Sequence, residues 1–255
     1  MISLKSKHEI DIMKKAGEIV ALALERIKEA VKPGITTLEL DRIAEEVICK
    51  SGAIPSFKGY KGFPGAIDFP ATICASINNE VVHGIPGLEM LKDGDIISVD
   101  IGACYNGFHG DAARTFAVGQ ISEKAALLIK ATEESFYKGI EKAIVGNRIV
   151  DISAAVEEHI KQYGFSVVRE YVGHGIGREM HESPQIPNYR TRERGPRLEA
   201  GMTIAVEPMI NEGTYNVRLL KNKWTVVTAD GSLSAHYENT IAVTEGTPEI
   251  LTKLS

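Results

Sequence analysis

Four carboxylates stand in apolar, strand-like surroundings. Ile96-Ile97-Ser98-Val99 precedes Asp100, Thr203-Ile204-Ala205-Val206 precedes Glu207, Thr240-Ile241-Ala242-Val243 follows Glu238, and Asp111 opens an apolar run of its own. Carboxylates flanked this way are expected to be buried, and buried anions must be paired with cations or coordinate metal. Arg114 is the one cationic side chain close to them in sequence, so divalent metal is the simpler neutraliser. Four carboxylates and a histidine, with His174 the natural candidate, hold two ions if some carboxylates bridge. An oxygen-rich set of this kind suits Mn, Fe(II), Co or Zn and excludes a soft thiolate site. Two ions sharing a water lower its pKa and yield a nucleophile at neutral pH, which makes hydrolysis the implied reaction class. His83 and His181 are then left as donors able to bind a substrate carbonyl or amide and to stabilise an oxyanion.

Each of these residues also has a plainer reading. One strand carboxylate beside glycine is more often a turn or capping group; repetition at matched spacing, described below, argues the other way. His83 alone fits a partly buried hydrogen-bonding loop residue as well as a site residue. His8, His109 and His159 are read as structural, and His236, two residues before Glu238, is open between the two. Gly173-His174-Gly175-Ile176-Gly177 invites a nucleotide-binding reading, but Arg178 occupies the last glycine of G-x-G-x-x-G. His181-Glu182 lacks the second histidine of a helical zinc-protease motif. Cys74 reads as a buried small hydrophobe rather than a nucleophile.

The elements that must carry these groups are legible from periodicity. Ile10, Met13, Val20, Leu24, Ile27 and Val31 form one stripe of a long helix that Pro33-Gly34 stops. Thr36 and Glu39 then read as a capping box for a second helix, with Leu40, Ile43, Ala44, Val47 and Ile48 as its apolar stripe and Gly52 as its end. The order recurs further on. Ile152, Ala155, Val156, His159 and Ile160 repeat the second stripe at the same mutual spacing, with Gly164 in the place of Gly52. Val82-His83-Gly84-Ile85 is echoed by Gly173-His174-Gly175-Ile176. Asp100 and Glu207 each end a strand six residues after Gly94 and Gly201, and Asp111 and Glu238 each open one that closes at Gly119 and Gly246. The spacing predicts an internal duplication, with halves of about 1–120 and 121–255 forming a single catalytic domain. The fold class expected is α+β, with antiparallel sheets under a layer of helices and the repeated acids meeting at the junction. Ser56–Pro70 and Glu179–Arg197 are expected to be helix-free loops around it.

Composition narrows the function. The 255 residues are 44% hydrophobic and 25% charged, as in ordinary globular proteins. With 29 Lys+Arg against 34 Asp+Glu the net charge is −5 and the pI about 5.9, so no basic field is present to hold nucleic acid or an anionic membrane. The charged start of the chain and the absence of a membrane-length apolar run suggest a cytoplasmic protein. Cys49, Cys74 and Cys104 lack C-x-x-C spacing and suit reduced thiols.

Taken together, the motifs resemble type I methionyl aminopeptidases. They are Asn79-Glu80-Val81-Val82-His83-Gly84-Ile85-Pro86, Ser98-Val99-Asp100, His109-Gly110-Asp111, Gly173-His174-Gly175-Ile176-Gly177 with Met180-His181-Glu182, Val206-Glu207-Pro208 and Tyr237-Glu238-Asn239-Thr240. The resemblance runs in order over almost the whole chain. It implies the "pita-bread" creatinase/aminopeptidase fold and removal of the initiator methionine from nascent polypeptides whose second residue is small. By the same resemblance Asp100 is a ligand of one metal alone, Asp111 and Glu238 bridge, and His174 and Glu207 bind the other. His83 contacts the scissile amide, His181 holds the substrate carbonyl, and Glu207 shuttles the proton of the water. Tyr60, Phe63, Cys74, Met180 and Trp224 fall where that family lines its methionine pocket, apt chemistry for a thioether. The implied cofactors are two divalent ions from among Co, Mn, Fe(II) and Zn. The implied partner is the N-terminal methionine of a nascent chain, with a transient ribosome contact, no nucleic acid and no membrane, in a monomer.

Three departures stand out. Gly65-Ala66-Ile67-Asp68-Phe69 is extra sequence between the pocket aromatics and Cys74, Met180 stands where many members carry Phe, and Gly102 where some carry Thr. No zinc-finger extension or type II insertion is expected. Two rivals share the motifs: an X-Pro peptidase of the same fold, whose separate N-terminal domain has no counterpart before the first helix here, and a non-catalytic binding module, disfavoured because every ligand position is filled.

Overall fold

The fold is that of a computed structural model, which describes residues 2–62 and 65–254. Its elements run in two series, each opening with a pair of helices. The first comprises α1 (Lys7–Ala30), α2 (Thr37–Lys50), β1 (Ile54–Pro55), β2 (Ile73–Ile77), β3 (Glu80–Val82), β4 (Ile96–Tyr105) and β5 (Phe108–Ala117). The second comprises α3 (Glu123–Ile140), α4 (Ile149–Lys161), β6 (Ser166–Val167), β7 (Gly173–Gly175), β8 (Glu182–Ile186) and β9 (Thr203–Val206). It continues through β10 (Met209–Asn211), β11 (Val217–Leu219), β12 (Val226–Thr228), β13 (Ser234–His236), β14 (Asn239–Ala242) and β15 (Glu249–Ile250).

The helices start where their caps dictate. Thr36 and Glu39 exchange both bonds of a capping box at α2, as the sequence predicts, and Ser6 with Glu9 forms a second box at α1. Each helix pair buries its stripe on its own sheet. Val20, Leu24, Ile27, Leu40 and Ile48 pack with Ile73, Val99 and Ile101; Phe136, Ile149 and Ile152 pack with Ile204, Val206 and Ile241. Close approach of α1 to β5 depends on Gly110: a Cβ there would stand 2.8 Å from the backbone nitrogen of Gly17. That contact fixes β5, and with it Asp111, against the helix layer.

Among the described residues all strand pairings are antiparallel. In one sheet β1 and β2 follow each other along one edge of β4, and β5 pairs along the other. A five-stranded sheet has the order β15-β14-β9-β7-β8, and two three-stranded sheets, β13-β10-β6 and β11-β12-β3, complete the layer. The two large sheets meet between β5 and β14. There Glu238 N–H donates to Ala113 O (3.0 Å), and Asp111 N–H and the Thr240 hydroxyl bond each other's main and side chain at 3.0 Å. Local bonds also recur in both series. Gly34 and Gly146 N–H donate to Leu91 O and Leu198 O (2.7 and 3.0 Å), and the isolated bridges Thr36↔Met90 and Arg148↔Arg197 sit beside them.

Two boundaries differ from expectation. Asp100 does not end its strand and Asp111 does not begin one: β4 continues to Tyr105 and β5 starts at Phe108. Ile101, Ala103 and Ala112 continue the buried face on either side of the acids, so the ladder extends through them. The 179–197 segment is helix-free as expected but contributes β8. No helix among the described residues is long and apolar enough to cross a membrane.

Candidate metal centre

Antiparallel register brings the first two acids together. Asp100 pairs with Ala113 and Asp111 with Gly102, so both carboxyls leave the same face of the β4–β5 ladder and interact with one another. Glu207 follows β9 directly and Glu238 precedes β14, whose pairing of Asn239 with Val206 sets these two acids side by side. His174, on β7, pairs with Ala205 and reaches the same spot. Its Nε2 lies 3.7 Å from Asp111 Oδ2 and 3.6 Å from Glu207 Oε1. Two donors about 2.1 Å from a common ion stand roughly 3.0–3.5 Å apart, close to these separations. The His174 Nδ1–H donates to Gly175 O (2.8 Å), which leaves Nε2 with a free lone pair facing the carboxylates.

Asp111 and Glu238 are 3% and 1% exposed, while Asp100 and Glu207 keep a small exposed edge, with Asp100 Oδ1 itself buried. Burial pushes the Asp100 carboxyl up to about 7. Burial, reinforced by the neighbouring acids, holds Asp111, Glu207 and Glu238 well above the ordinary carboxyl range. Burial lowers His174 and His236 to about 3 and His83 to about 4, with a nearby imidazole adding to each. Metal-free, the cluster therefore favours the neutral forms of its acids and imidazoles. Asp100 Oδ1, Asp111 Oδ1, Glu238 Oε1 and His236 Nε2 are buried without a hydrogen-bond partner. Orphaned donor atoms of this kind fit a cation that displaces the protons. Arg114 forms no ion pair with them: it donates to the main-chain oxygens of Glu238 (2.5 Å) and Ala113 (2.8 Å) and to Asn239 Oδ1 (2.7 Å), and lies 4.2 Å over the Tyr237 ring.

Among the described residues, two sets of potential ligand atoms each gather within 4.8 Å: Asp111, His174 and Glu238, and Glu207, His236 and Glu238. Glu238 belongs to both. Asp100 joins through its contact with Asp111 rather than as a member of either triad. His236 is the residue that sequence reasoning left open; the available signal is its i, i+2 relation to Glu238.

The remaining candidates surround the acids. The His174 and His181 ring centroids are 4.3 Å apart, and Tyr60 Oη is 2.7 Å from His181 Nδ1. His83 adopts φ +59°, rare for a residue with a Cβ, and its carbonyl accepts from Thr225 Oγ1 at 3.2 Å. Tyr171 and Trp224 lie edge-on to it at 5.8 and 6.2 Å. Cys74 pairs directly with Asp100 across β2 and β4, buried in one apolar cluster with Met180 and Trp224. Burial, aided by the charges of Asp100, Asp111 and Glu238, holds its thiol protonated. Phe57 and Phe69 complete that cluster and were not singled out from the sequence, where they read as loop aromatics. Phe63 lies outside the described residues.

Two sequence departures have physical accounts. A Cβ at Gly102 would meet Ser56 Cβ at 2.8 Å, Phe57 Cε1 at 2.9 Å and Met180 Cε at 3.1 Å, so Met180 and Phe57 occupy the space a larger residue there would need. The extra segment ending at Phe69 is fastened to the 223–224 turn: Trp224 Nε1–H donates to Ile67 O (2.9 Å) and Lys223 Nζ to Gly65 O (2.8 Å).

Comparison with known proteins agrees with this picture. The model of metallopeptidase family M24 matches residues 11–245. A protein named methionine aminopeptidase from Clostridium perfringens is 60% identical over 252 residues, covering 99% of both chains. The crystal structure of methionine aminopeptidase from Thermotoga maritima superposes with a TM-score of 0.95 at 45% identity, covering 99% of this chain and 100% of that one. A prolidase from Pyrococcus furiosus shares the fold at a TM-score of 0.75 and 26% identity, with 99% of this chain matching 66% of that one. Antiparallel sheets, buried acids and sequence similarity along the whole chain converge: this protein belongs to metallopeptidase family M24, with its pita-bread fold.

Proposed function

We propose that this chain is a methionine aminopeptidase that removes the N-terminal methionine from nascent polypeptides with a small second residue. The observation that carries the reading is the pair of donor triads sharing Glu238, set beside a buried thiol, thioether and aromatic cluster. On this reading Asp100, Asp111, His174, Glu207 and Glu238 hold two divalent ions. Such ions supply Lewis-acid polarisation of the scissile carbonyl and lower the pKa of water at the centre.

The protein groups do the rest. His181, with Nδ1 accepting from Tyr60, keeps its Nε2–H for the substrate carbonyl oxygen. Neutral His83, held at its unusual backbone angle, offers a ring N–H to the scissile amide. Glu207 accepts a proton from water and returns it to the departing amine. Cys74, Met180, Tyr60 and Trp224, with Phe63 by resemblance, line the methionine side-chain pocket. A small second residue suits the crowding of Tyr171 and Trp224 around His83. The two matched series act as one catalytic unit, a cytoplasmic monomer that meets its substrates as they leave the ribosome.

The test is a metal titration of Met-Ala-peptide hydrolysis with wild type, Glu207→Ala and His83→Ala, alongside Met-Gly and Xaa-Pro peptides. Both variants are expected to lose turnover, by about 10²–10⁴-fold for His83→Ala, with metal binding weakened only in Glu207→Ala. Metal-free protein as active as loaded protein, or a preference for Xaa-Pro peptides, refutes the reading.

A further inference from the structure

Glu207 has a histidine at each carboxylate oxygen. Oε1 lies 3.6 Å from His174 Nε2, and Oε2 lies 3.7 Å from His236 Nε2. The His236 ring is 2% exposed, and its Nε2 is buried with no hydrogen-bond partner. Its backbone is fixed on both sides: His236 N–H donates to Thr115 Oγ1 and the Thr115 hydroxyl donates to His236 O, each at 2.9 Å, while β13 pairs it with Met209. The ring therefore stands at a set place, aimed at an acid.

We infer that His236 is a positioning residue for Glu207: its Nε2–H holds Oε2, so that Oε1 is presented beside His174 to the metal. This rests on the reading that Glu207 is a metal ligand. At 3.7 Å the contact is longer than a hydrogen bond, and a movement of about 0.5 Å brings it within range. An imidazole whose Nε2 carries a proton has a single N–H to give in that direction, and Oε2 is the acceptor that faces it. Partners of this outer kind fix the orientation of ligating carboxylates and raise metal affinity. The ring has a second effect. His236 also walls a cavity of about 450 Å³ between α1 and α3, lined by Leu24, Lys28, Arg114 and Glu133 among others. Shortening that side chain would open a route for water from the void toward Glu207 Oε2.

The alternative is that His236 ligates a metal itself, since its Nε2 also falls within 4.8 Å of donor atoms of Glu207 and Glu238. His236→Gln and His236→Leu separate the two. Glutamine keeps an N–H donor and loses the imidazole; leucine loses both. Mn(II) affinity and stoichiometry are measured by calorimetry, with the thermal midpoint of each metal-free protein as the control for folding. The expectation is a loss of about 10–100-fold in affinity at one site for His236→Leu, with His236→Gln within about threefold of wild type. The ring ¹⁵N spectrum of zinc-loaded wild type, expected to show Nε2 protonated, decides the matter even if the leucine variant does not fold. Overturning results are His236→Gln as weak as His236→Leu, unchanged affinity in both, or a zinc-shifted, unprotonated Nε2. Failure of wild type to bind two ions would instead sink the metal-centre reading, so the two failures are distinguishable.

Discussion

Stripping the metal should make stability fall as pH rises through neutrality. Burial raises all four carboxyls: Asp100 to about 7, with Asp111, Glu207 and Glu238 well above their ordinary range. Unfolded, these acids ionise near pH 4. Between the unfolded and folded pKa values the native state thus holds more protons than the unfolded state, and stability declines with pH. The depressed histidines act with the opposite sign, since unfolded imidazole binds a proton below about 6.5 that the folded ring refuses. Their contribution is complete above that pH, so the window from about 6.5 to 8 isolates the carboxyls. Each proton retained only by the native state costs about 1.4 kcal/mol per pH unit. One such proton gives a decline of about 2 kcal/mol across the window, and two double it. Urea denaturation of chelator-treated and manganese-loaded protein at a series of pH values measures this slope. Loaded protein is expected to be flat, because cations replace the protons. A metal-free curve that is level or rising, or a loaded curve falling equally steeply, refutes the argument.

Other perturbations test separate parts of the site. Tyr60→Phe removes the 2.7 Å contact that orients His181 and is expected to lower kcat/KM about tenfold, a loss of one ordinary hydrogen bond, with an unchanged thermal midpoint. Gly102→Thr places a side chain against Phe57, Ser56 and Met180; a loss of about 1–3 kcal/mol in urea denaturation and a raised KM are expected, as for other overpacked cores. The chain's own second residue is Ile2, too bulky for the proposed product site, so Met1 should be retained; an intact mass short by one methionine contradicts the account of the small second residue.

The expected α+β class, the long helices and the capping box at Thr36 were all legible, because helical periodicity and caps are local properties. Strand limits around Asp100 and Asp111 were not: a polar residue inside an apolar alternation reads as an end until the pairing partners on both sides are known. Phe57 and Phe69 were hidden for a related reason, since a loop aromatic carries no periodicity to declare which way it packs.

The sequence by itself determined which donors exist and that acids recur at matched intervals, enough to name a hydrolytic metal centre and its ligands by type. Tertiary structure decided what no spacing encodes. It placed Glu238 within both donor triads, turned His174 Nε2 toward the acids by tying Nδ1 to Gly175, and set His236 behind Glu207. These are distances between strands remote in the chain, fixed by the β5–β14 junction and the antiparallel registers around it. Ladder hydrogen bonds and the burial of each sheet's other face set those registers cooperatively, and only the assembled sheets contain that information.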